Sequence, residues 1–307
     1  MDHNQSKPSN NLEGVISLML TPFNNDGGIE WQTYARYTEW QAEKQPSGLF
    51  AVCGSSEMKW LTYDERMRLI SETVKYADGV PVIATANLDP DIAKHPDEAR
   101  NAEDAGASAV VLVPPPHVVS GDNDLYFDYL HHMSQQVSCP VLVYEWPQVD
   151  NYLMDASVFT RLAEQDIIAG IKDTTCTVEG IHSKQDVARD VIIYQANTAY
   201  LSEALDMGVK GIMAITSTAK ADLVKAFWEA YHAGDSSATL LHRELVFLDM
   251  LLRTAYPATA KYIASLQGLE MSTYTRWDVN LTPETCRSID VWYQHQPEIA
   301  LRVEKGN

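Results

Sequence analysis

Short apolar runs alternate along the chain with longer segments whose apolar residues recur at helical spacing. The runs are rich in Val and Ile and hardly alternate with polar residues, as is typical of parallel strands buried on both faces. Eight of them occur, at residues 14–20, 48–53, 80–86, 109–113, 140–146, 167–172, 191–196 and 209–215. Eight strands that alternate with helices predict parallel pairing and closure into a (β/α)8 TIM barrel.

The intervening segments carry helix signals. Thr62 and Glu65 form a capping-box pattern that predicts the start of one helix, and a second helix is predicted over residues 96–105, with Gly106 placed to end it. An open doubly wound sheet is the alternative fold. It usually has a G-x-G-x-x-G turn after the first strand, and TPFNNDGG at residues 21–28 does not match that pattern.

The strand signal stops after about residue 217, and only helical patterns follow. Residues 219–234 read as the last barrel helix, and the segments 240–256 and 258–270 predict further helices. We therefore expect three regions: a disordered polar tail at residues 1–11, a barrel at 12–234, and a helical extension at 235–307 packed on the barrel.

Length and charge narrow the range of functions. The chain has 307 residues, about what one barrel needs, and 45% of them are apolar. Against 42 acidic residues stand 23 Lys and Arg, a net charge of −19 that disfavours nucleic acid and anionic membranes as partners. An anionic substrate would also be repelled at long range, so its binding needs local donors in the pocket.

The cysteines and the N-terminal segment indicate the cellular compartment in which we expect the protein. The four cysteines show no CxxC spacing, no apolar run reaches the ~18 residues of a membrane span, and the first eleven residues lack a signal-peptide core. We expect a cytoplasmic protein with free thiols and no membrane partner. The histidines, including His131 and His132 on a predicted helix, form no HExxH pattern, so we expect neither a metal nor another cofactor.

Candidate catalytic residues follow from the rule that a barrel places its active site at the C-terminal ends of its strands. That rule selects the residues that end or follow the predicted strands 2, 4, 5, 6 and 7. They are Gly54, Ser55, Ser56 and Glu57, then Pro114 to His117, Tyr144, Lys172, and Asn197.

Lys172 is the most informative of these residues because it ends an otherwise apolar strand. An ordinary lysine has a pKa of ~10.4, so about one amine in 2,500 is neutral at pH 7. Burial among apolar strands lowers that pKa and makes the amine nucleophilic. Tyr144 lies one strand-helix unit earlier and can shuttle protons to it. A plain ion pair of Lys172 with Asp173, and a packed tyrosine with a satisfied hydroxyl, are the structural alternatives.

The turn Gly54-Ser55-Ser56 offers hydroxyl and backbone N–H groups that can hold a carboxylate without any positive charge. An ordinary strand-to-helix turn is the alternative interpretation. Trp60 and Trp146 flank the predicted site, either as pocket walls or as packing residues.

Together these motifs resemble the dihydrodipicolinate synthase / N-acetylneuraminate lyase family of class I, Schiff-base lyases, over about residues 12–270. The resemblance rests on GVISLMLTPFNNDGGI, GSSE, AGASAVVLVPP, VYEWP, GIKDTT and YPATAKYIASLQGL, in that order. It implies that Lys172 forms an imine with a 2-keto acid, that Tyr144 shuttles protons, and that Ser55 joins this relay. The predicted substrate-binding set is Gly54, Ser55, Ser56, Thr174, Asn197 and Met213. The resemblance also implies a homo-oligomer, a tetramer or a dimer.

Departures from the family pattern argue against a typical dihydrodipicolinate synthase. The second glycine of the G-[ST]-[ST]-G-E turn is missing, and PPPH replaces the segment in which the family often has a tyrosine that reaches a neighbouring subunit's site. Glu145 takes the place of the usual asparagine, and Val149 that of the synthases' arginine. The relay of Tyr144 is then complete only if Ser55, Glu145 or water replaces the missing tyrosine.

These observations predict a lyase, either an aldolase or a dehydratase, that acts on a pyruvate-type 2-keto acid such as a 2-keto-3-deoxy sugar acid. A deaminating lyase or a condensing enzyme shares the imine step and stays open. A non-catalytic keto-acid-binding paralogue is the alternative from another class. A phosphate-binding, cofactor-dependent barrel is disfavoured because no Gly-rich loop follows strand 7 or 8.

Overall fold

The computed structural model of the protein describes residues 12–119, 122–147, 153–188 and 190–295. The predicted tail at residues 1–11, the end of the predicted extension, and Val149 lie outside this part of the chain.

Eight parallel strands close into a barrel in the order β1 to β8, with β1 pairing with β8. The predicted TIM barrel is thus confirmed, and the open-sheet alternative is wrong. Every strand residue is buried, because the barrel interior lies on one face and the helices on the other. The strands are Gly14–Leu18, Gly48–Val52, Val82–Thr85, Ala109–Leu112, Val141–Tyr144, Gly170–Asp173, Ile192–Gln195 and Gly211–Ile212.

Twelve α-helices are present within the described residues, and nine of them connect or follow the barrel strands. These nine are α1 Trp31–Ala42, α2 Tyr63–Tyr76, α3 His95–Asp104, α4 Pro116–Val119, α5 Asn123–Ser134, α6 Ala156–Glu164, α7 Val178–Gln185, α8 Leu201–Asp206 and α9 Ser217–His232. The predicted final barrel helix corresponds to α9. None of the described helices has the length and apolar character needed to cross a membrane.

The two predicted helix boundaries have the geometry that their residues favour. At the start of α2, the Thr62 hydroxyl accepts from Glu65 N at 3.2 Å, and the Glu65 carboxylate accepts from Thr62 N at 2.9 Å. This closed capping box satisfies two N–H groups that the first helical turn leaves open. After α3, Gly106 has a φ of +100°, where a residue with a Cβ would be strained. Both predictions are confirmed.

Three helices follow the barrel, in agreement with the predicted C-terminal helices: α10 Ser237–Arg253, α11 Ala258–Ala264 and α12 Pro283–Gln294. The segment 272–281, between α11 and α12, passes over the C-terminal ends of the strands. Within it, the Arg276 guanidinium donates to the Gly27 carbonyl at 2.8 Å and to both oxygens of Glu65, at 2.6 and 2.7 Å. These contacts fix the segment against the mouth of the barrel.

Candidate active site

Lys172 and Tyr144 are direct partners on adjacent parallel strands, β6 and β5. The Lys172 side chain is buried, and its Nζ lies 4.2 Å from the centroid of the Tyr144 ring and 5.8 Å from that of Phe50. An amine over aromatic faces sits in an apolar environment with a weak electrostatic attraction to the rings. The amine and the phenol therefore share one end of the barrel.

Burial lowers the pKa of the Lys172 amine to about 8, while the nearby Cys53 thiol acts in the opposite direction. At that pKa roughly one amine in eleven is neutral at pH 7, some two hundred times more than for an ordinary lysine. Among the described residues three lysines are buried, and Lys184 and Lys261 each form an ion pair with a carboxylate. Lys172 has no such partner among the described residues, as a nucleophilic amine requires.

Asp173 pairs with Lys184 rather than with Lys172, so the structural alternative raised for Lys172 is wrong. Lys184 Nζ lies 2.6 Å from Asp173 Oδ1 and 2.7 Å from Glu145 Oε2, and all three side chains are buried. Gln195 donates to the other Asp173 oxygen at 3.0 Å, and Met154 N donates to Glu145 Oε1 at 2.8 Å. Lys184 thus forms ion pairs with both buried carboxylates, Glu145 and Asp173, beside the ends of β5 and β6.

This network removes Glu145 from the set of candidates for the Tyr144 relay, because its carboxylate is held by Lys184 and by backbone N–H groups. Burial raises the pKa of the Glu145 carboxyl to about 6, and Lys184 opposes that rise. Glu145 therefore stabilises the wall of the site and adds no free negative charge to the pocket.

The turn after β2 is a short 3-10 turn, Gly54–Ser56, followed by Glu57 in the left-handed conformation at φ +60°. The position is costly for a residue with a side chain, and its interactions offset this cost. Glu57 pairs with Lys261 Nζ at 2.7 Å and accepts from the N–H groups of Arg276 and Trp277, at 2.6 and 3.0 Å. Glu57 ties the turn to the C-terminal segment and, like Glu145, does not face the pocket with a free carboxylate.

A cavity of about 740 Å³ opens at this end of the barrel. Its inner wall is made of strand-end residues, and its outer wall comes from the C-terminal helices and the segment over the barrel mouth. The lining residues are Gly54, Ser55, Tyr144, Trp146, Pro147, Lys172, Ile215, Arg253, Thr254, Ala255, Tyr256, Trp277, Asp278, Val279 and Asn280.

Four of the predicted site residues meet in this cavity: Lys172, Tyr144, Gly54 and Ser55. Gly54 is close enough to the phenol that a Cβ built on it would lie 3.4 Å from Tyr144 Oη. Trp146 also lines the cavity, whereas Trp60 stacks behind Trp277, with ring centroids 5.2 Å apart.

The other predicted substrate-binding residues are not among those lining the cavity. The Ser56 hydroxyl is occupied within its own turn, where it accepts from Cys53 N at 2.7 Å, and the Thr174 hydroxyl donates to the Glu145 carbonyl at 2.7 Å. Asn197 donates to the Thr175 carbonyl at 3.2 Å, and Met213 is buried in the barrel. His117 is exposed on α4.

Sequence reasoning missed the outer wall. Arg253 and Tyr256 come from the end of α10 and the link to α11, and Trp277, Asp278 and Asn280 come from the segment between α11 and α12. The strand-end rule does not reach these residues. One signal did point there, since YPATAKYIASLQGL was among the motifs that carried the family resemblance.

The comparison with protein-family models matches residues 11–285 to the dihydrodipicolinate synthetase family. The chain belongs to this family. The match covers the barrel and most of the C-terminal helices, and it confirms the resemblance found from the motifs.

Curated relatives of this family member are distant. It is 27% identical over 262 residues to a DapA-like lyase of Halobacterium salinarum, which is 84% of this chain and 86% of that protein. It is 29% identical over 275 residues to the 4-hydroxy-tetrahydrodipicolinate synthase of Gluconacetobacter diazotrophicus, 85% of this chain and 89% of that protein.

Among solved structures, YagE, a prophage protein of E. coli K12 in complex with pyruvate, aligns with a TM-score of 0.84 at 20% identity. That alignment covers 92% of this chain and 98% of YagE, and at such identity it shows the shared fold.

Proposed function

We propose that the protein is a class I lyase in which Lys172 forms an imine with a pyruvate-type 2-keto acid. One observation carries this proposal: a buried lysine with a lowered pKa and no carboxylate partner among the described residues faces Tyr144 in an open cavity. Membership in a family of lyases supports it.

In this mechanism the neutral Lys172 amine attacks the ketone carbon, and a C–N bond forms. Tyr144 passes the amine proton to the former carbonyl oxygen, and a second proton then lets that oxygen leave as water. The resulting protonated imine draws electrons from the adjacent C–C or C–X bond, which permits cleavage or elimination.

Ser55 is the proposed partner of the substrate carboxylate. It lines the cavity beside Gly54, and its backbone N–H can donate to an anion without bringing a fixed positive charge near Lys172. A cation there would lower the pKa of the amine further, but it would also oppose formation of the cationic imine. Gly54, Ser56, Thr174, Asn197 and Met213 stay predictions as substrate-binding residues, the last four in the wall behind the cavity.

The outer wall supports a hydroxyl-rich substrate, such as a 2-keto-3-deoxy sugar acid. Asp278 and Asn280 offer carboxylate and amide groups. Trp146 and Trp277 offer aromatic faces against which the C–H groups of a sugar chain can pack. Apart from Lys172, the one basic residue in the described lining is Arg253, which pairs with Asp249 through its Nε at 2.5 Å.

A panel of substrates tests this proposal. Monocarboxylic 2-keto-3-deoxy sugar acids are supplied to the enzyme, and pyruvate and 2-oxoglutarate semialdehyde are assayed as separate products, with Lys172→Ala as the control. Pyruvate points to an aldolase, and the semialdehyde to a dehydratase. Release of ammonia from an amino analogue, or condensation of pyruvate with aspartate semialdehyde, would select the alternatives. Binding of keto acids with no turnover of any of them would indicate the non-catalytic paralogue.

A further inference from the structure

The phenol of Tyr256 is a buried polar group at the edge of the Lys172 cavity. Tyr256 lies between α10 and α11 and lines the cavity with Ser55 and Lys172. Its hydroxyl is inaccessible to solvent and has no hydrogen bond to any described residue. Buried tyrosine hydroxyls normally have a partner, so an open one at a reaction cavity calls for a function.

Ser55 is the neighbour of this hydroxyl. Burial raises the pKa of the Tyr256 phenol well above its usual range, and the nearby Ser55 and Thr218 hydroxyls oppose that rise. Both neighbours are within electrostatic reach, yet in the described part of the chain neither has the geometry of a hydrogen bond to Tyr256 Oη. The Thr218 hydroxyl already donates to the Ile215 carbonyl at 2.6 Å, which leaves Ser55 as the candidate partner.

On its other side, the same turn approaches Tyr144. Gly54, which precedes Ser55, packs beside Tyr144 Oη, so the turn stands between two phenols. Tyr144, Ser55 and Tyr256 all line this one cavity.

A second buried phenol shows that a hydroxyl without a hydrogen bond does not by itself mark a reaction site. Tyr126 on α5 also has a buried hydroxyl with no hydrogen bond to a described residue, but it is not part of the cavity lining. Tyr34 and Tyr37 are buried as well, and their hydroxyls bond to Thr73 and to the Thr218 carbonyl. Among the described residues, Tyr256 is the only cavity-lining residue that has a buried hydroxyl without a hydrogen bond.

We propose that Tyr256 completes a proton relay, Tyr256 to Ser55 to Tyr144, that serves imine formation at Lys172. This inference rests on the proposed function. When the carbinolamine loses its hydroxyl group, Tyr144 donates the proton that makes the leaving group water. Ser55 returns a proton to Tyr144, and Tyr256 returns one to Ser55. Tyr256, whose hydroxyl is buried at rest, regains its proton from a hydronium ion that reaches it through the cavity. The net uptake is one proton, which balances the positive charge of the imine.

The relay moves its protons in concert. A buried phenolate at Tyr256 is disfavoured, so Tyr256 gives up its proton only as another arrives. Tyr256 acts through Ser55 and does not touch the substrate, so it is a positioning and relay residue.

The test compares Tyr256→Phe with the matched variant Tyr126→Phe. Each substitution removes one buried hydroxyl and leaves the ring in place. We expect Tyr256→Phe to lower kcat about 10- to 100-fold, with KM changed less than about threefold. This loss is at or below the lower end of general acid–base contributions, because Tyr256 acts through Ser55. Tyr126→Phe should keep wild-type kcat. Neither variant should melt at a lower temperature, because neither loses a hydrogen bond to a described residue.

A double variant tests the order of the relay. If the residues act in series, Ser55→Ala combined with Tyr256→Phe slows kcat no further than the worse single variant. If the kcat losses of the two single variants multiply in the double variant, the relay is contradicted. Equal kcat in Tyr256→Phe and Tyr126→Phe, or a large drop in Tm for Tyr256→Phe, would also contradict it.

Borohydride trapping separates this outcome from failure of the proposed function. If wild-type enzyme forms a pyruvate adduct at Lys172 and Tyr256→Phe forms it at the same rate, the relay is wrong and the imine stands. If wild-type enzyme forms no adduct, the proposed function itself fails.

Discussion

Lys172 and Tyr144 are register partners on the adjacent strands β6 and β5, with the lysine Nζ 4.2 Å from the tyrosine ring centroid. Two adjacent strand ends thus supply the amine and the phenol, and burial of the first beside the second lowers its pKa. The predictions below follow from this pair and from the groups that hold it in place.

The rate of imine formation should depend on pH through Lys172. Because burial lowers the pKa of this amine to about 8, the neutral fraction rises about tenfold per pH unit up to pH 7 and levels off above 8. This rate is measured between pH 6 and 10 by mixing enzyme with pyruvate and trapping the imine with borohydride after fixed times. A rate that keeps rising towards pH 10.5 would mean that the amine is not desolvated.

The Lys184 network should contribute strongly to stability. Lys184→Met leaves the buried carboxylates of Glu145 and Asp173 without their cation, and the cost of such a change is ~3–5 kcal/mol. Urea unfolding at pH 8 measures it. The matched control is Lys225→Met, which breaks the more exposed pair with Glu229 on α9 and should cost under ~1 kcal/mol.

The loss from Lys184→Met should shrink as the pH falls. Burial raises the pKa of Glu145 to about 6, so in the folded protein this carboxyl takes up a proton before an ordinary glutamate does. Once protonated, it no longer needs the cation. A loss that stays constant from pH 8 to pH 5 would argue against the buried network.

The barrel and the inner half of the site could be predicted from the sequence because both depend on local pattern. Apolar runs that are buried on both faces specify strands, and the strand-end rule then selects Gly54, Ser55, Tyr144 and Lys172.

The sequence could not predict that the Glu57 and Glu145 carboxylates turn away from the pocket, because each pairs with a lysine that is distant in the chain. Lys261 is 204 residues beyond Glu57, and Lys184 on α7 is 39 residues beyond Glu145. The outer wall was missed for a similar reason. Arg253, Tyr256 and Trp277 belong to helices and loops whose periodicity says nothing of where they pack.

Substrate choice should favour a neutral, hydroxylated distal end over a second carboxylate. A bidentate arginine binds a carboxylate efficiently. Apart from Lys172, the one basic residue in the described lining is Arg253, and it already pairs with Asp249. A dicarboxylic keto acid should have roughly ten- to a hundredfold lower kcat/KM than a monocarboxylic sugar acid of equal length.

The variants Arg253→Gln and, as an exposed control, Arg243→Gln identify the cause. If the dicarboxylate is the better substrate and only Arg253→Gln removes that preference, Arg253 binds its distal carboxylate and our assignment of the outer wall is wrong.

Assembly should leave each active site complete within one chain. The proposed relay uses Tyr256 and needs no tyrosine from a neighbouring subunit. Helix α10 carries exposed Phe247 and Met250, 49% and 63% accessible, which suit a contact with another copy. We expect a dimer or tetramer by light scattering at micromolar concentration. Mixing inactive Lys172→Ala with inactive Tyr144→Phe should restore no activity, whereas recovery would mean that subunits share sites.

The most direct test of the central claim is borohydride reduction in the presence of pyruvate, followed by mass spectrometry of the digested protein. The account predicts one reduced pyruvate adduct, located on Lys172, in the wild-type protein and in the exposed-lysine control Lys59→Ala. It predicts no adduct in Lys172→Ala. An adduct on Lys184 or Lys261, or the absence of any adduct in the wild-type protein, would contradict the assignment of Lys172 as the imine-forming residue.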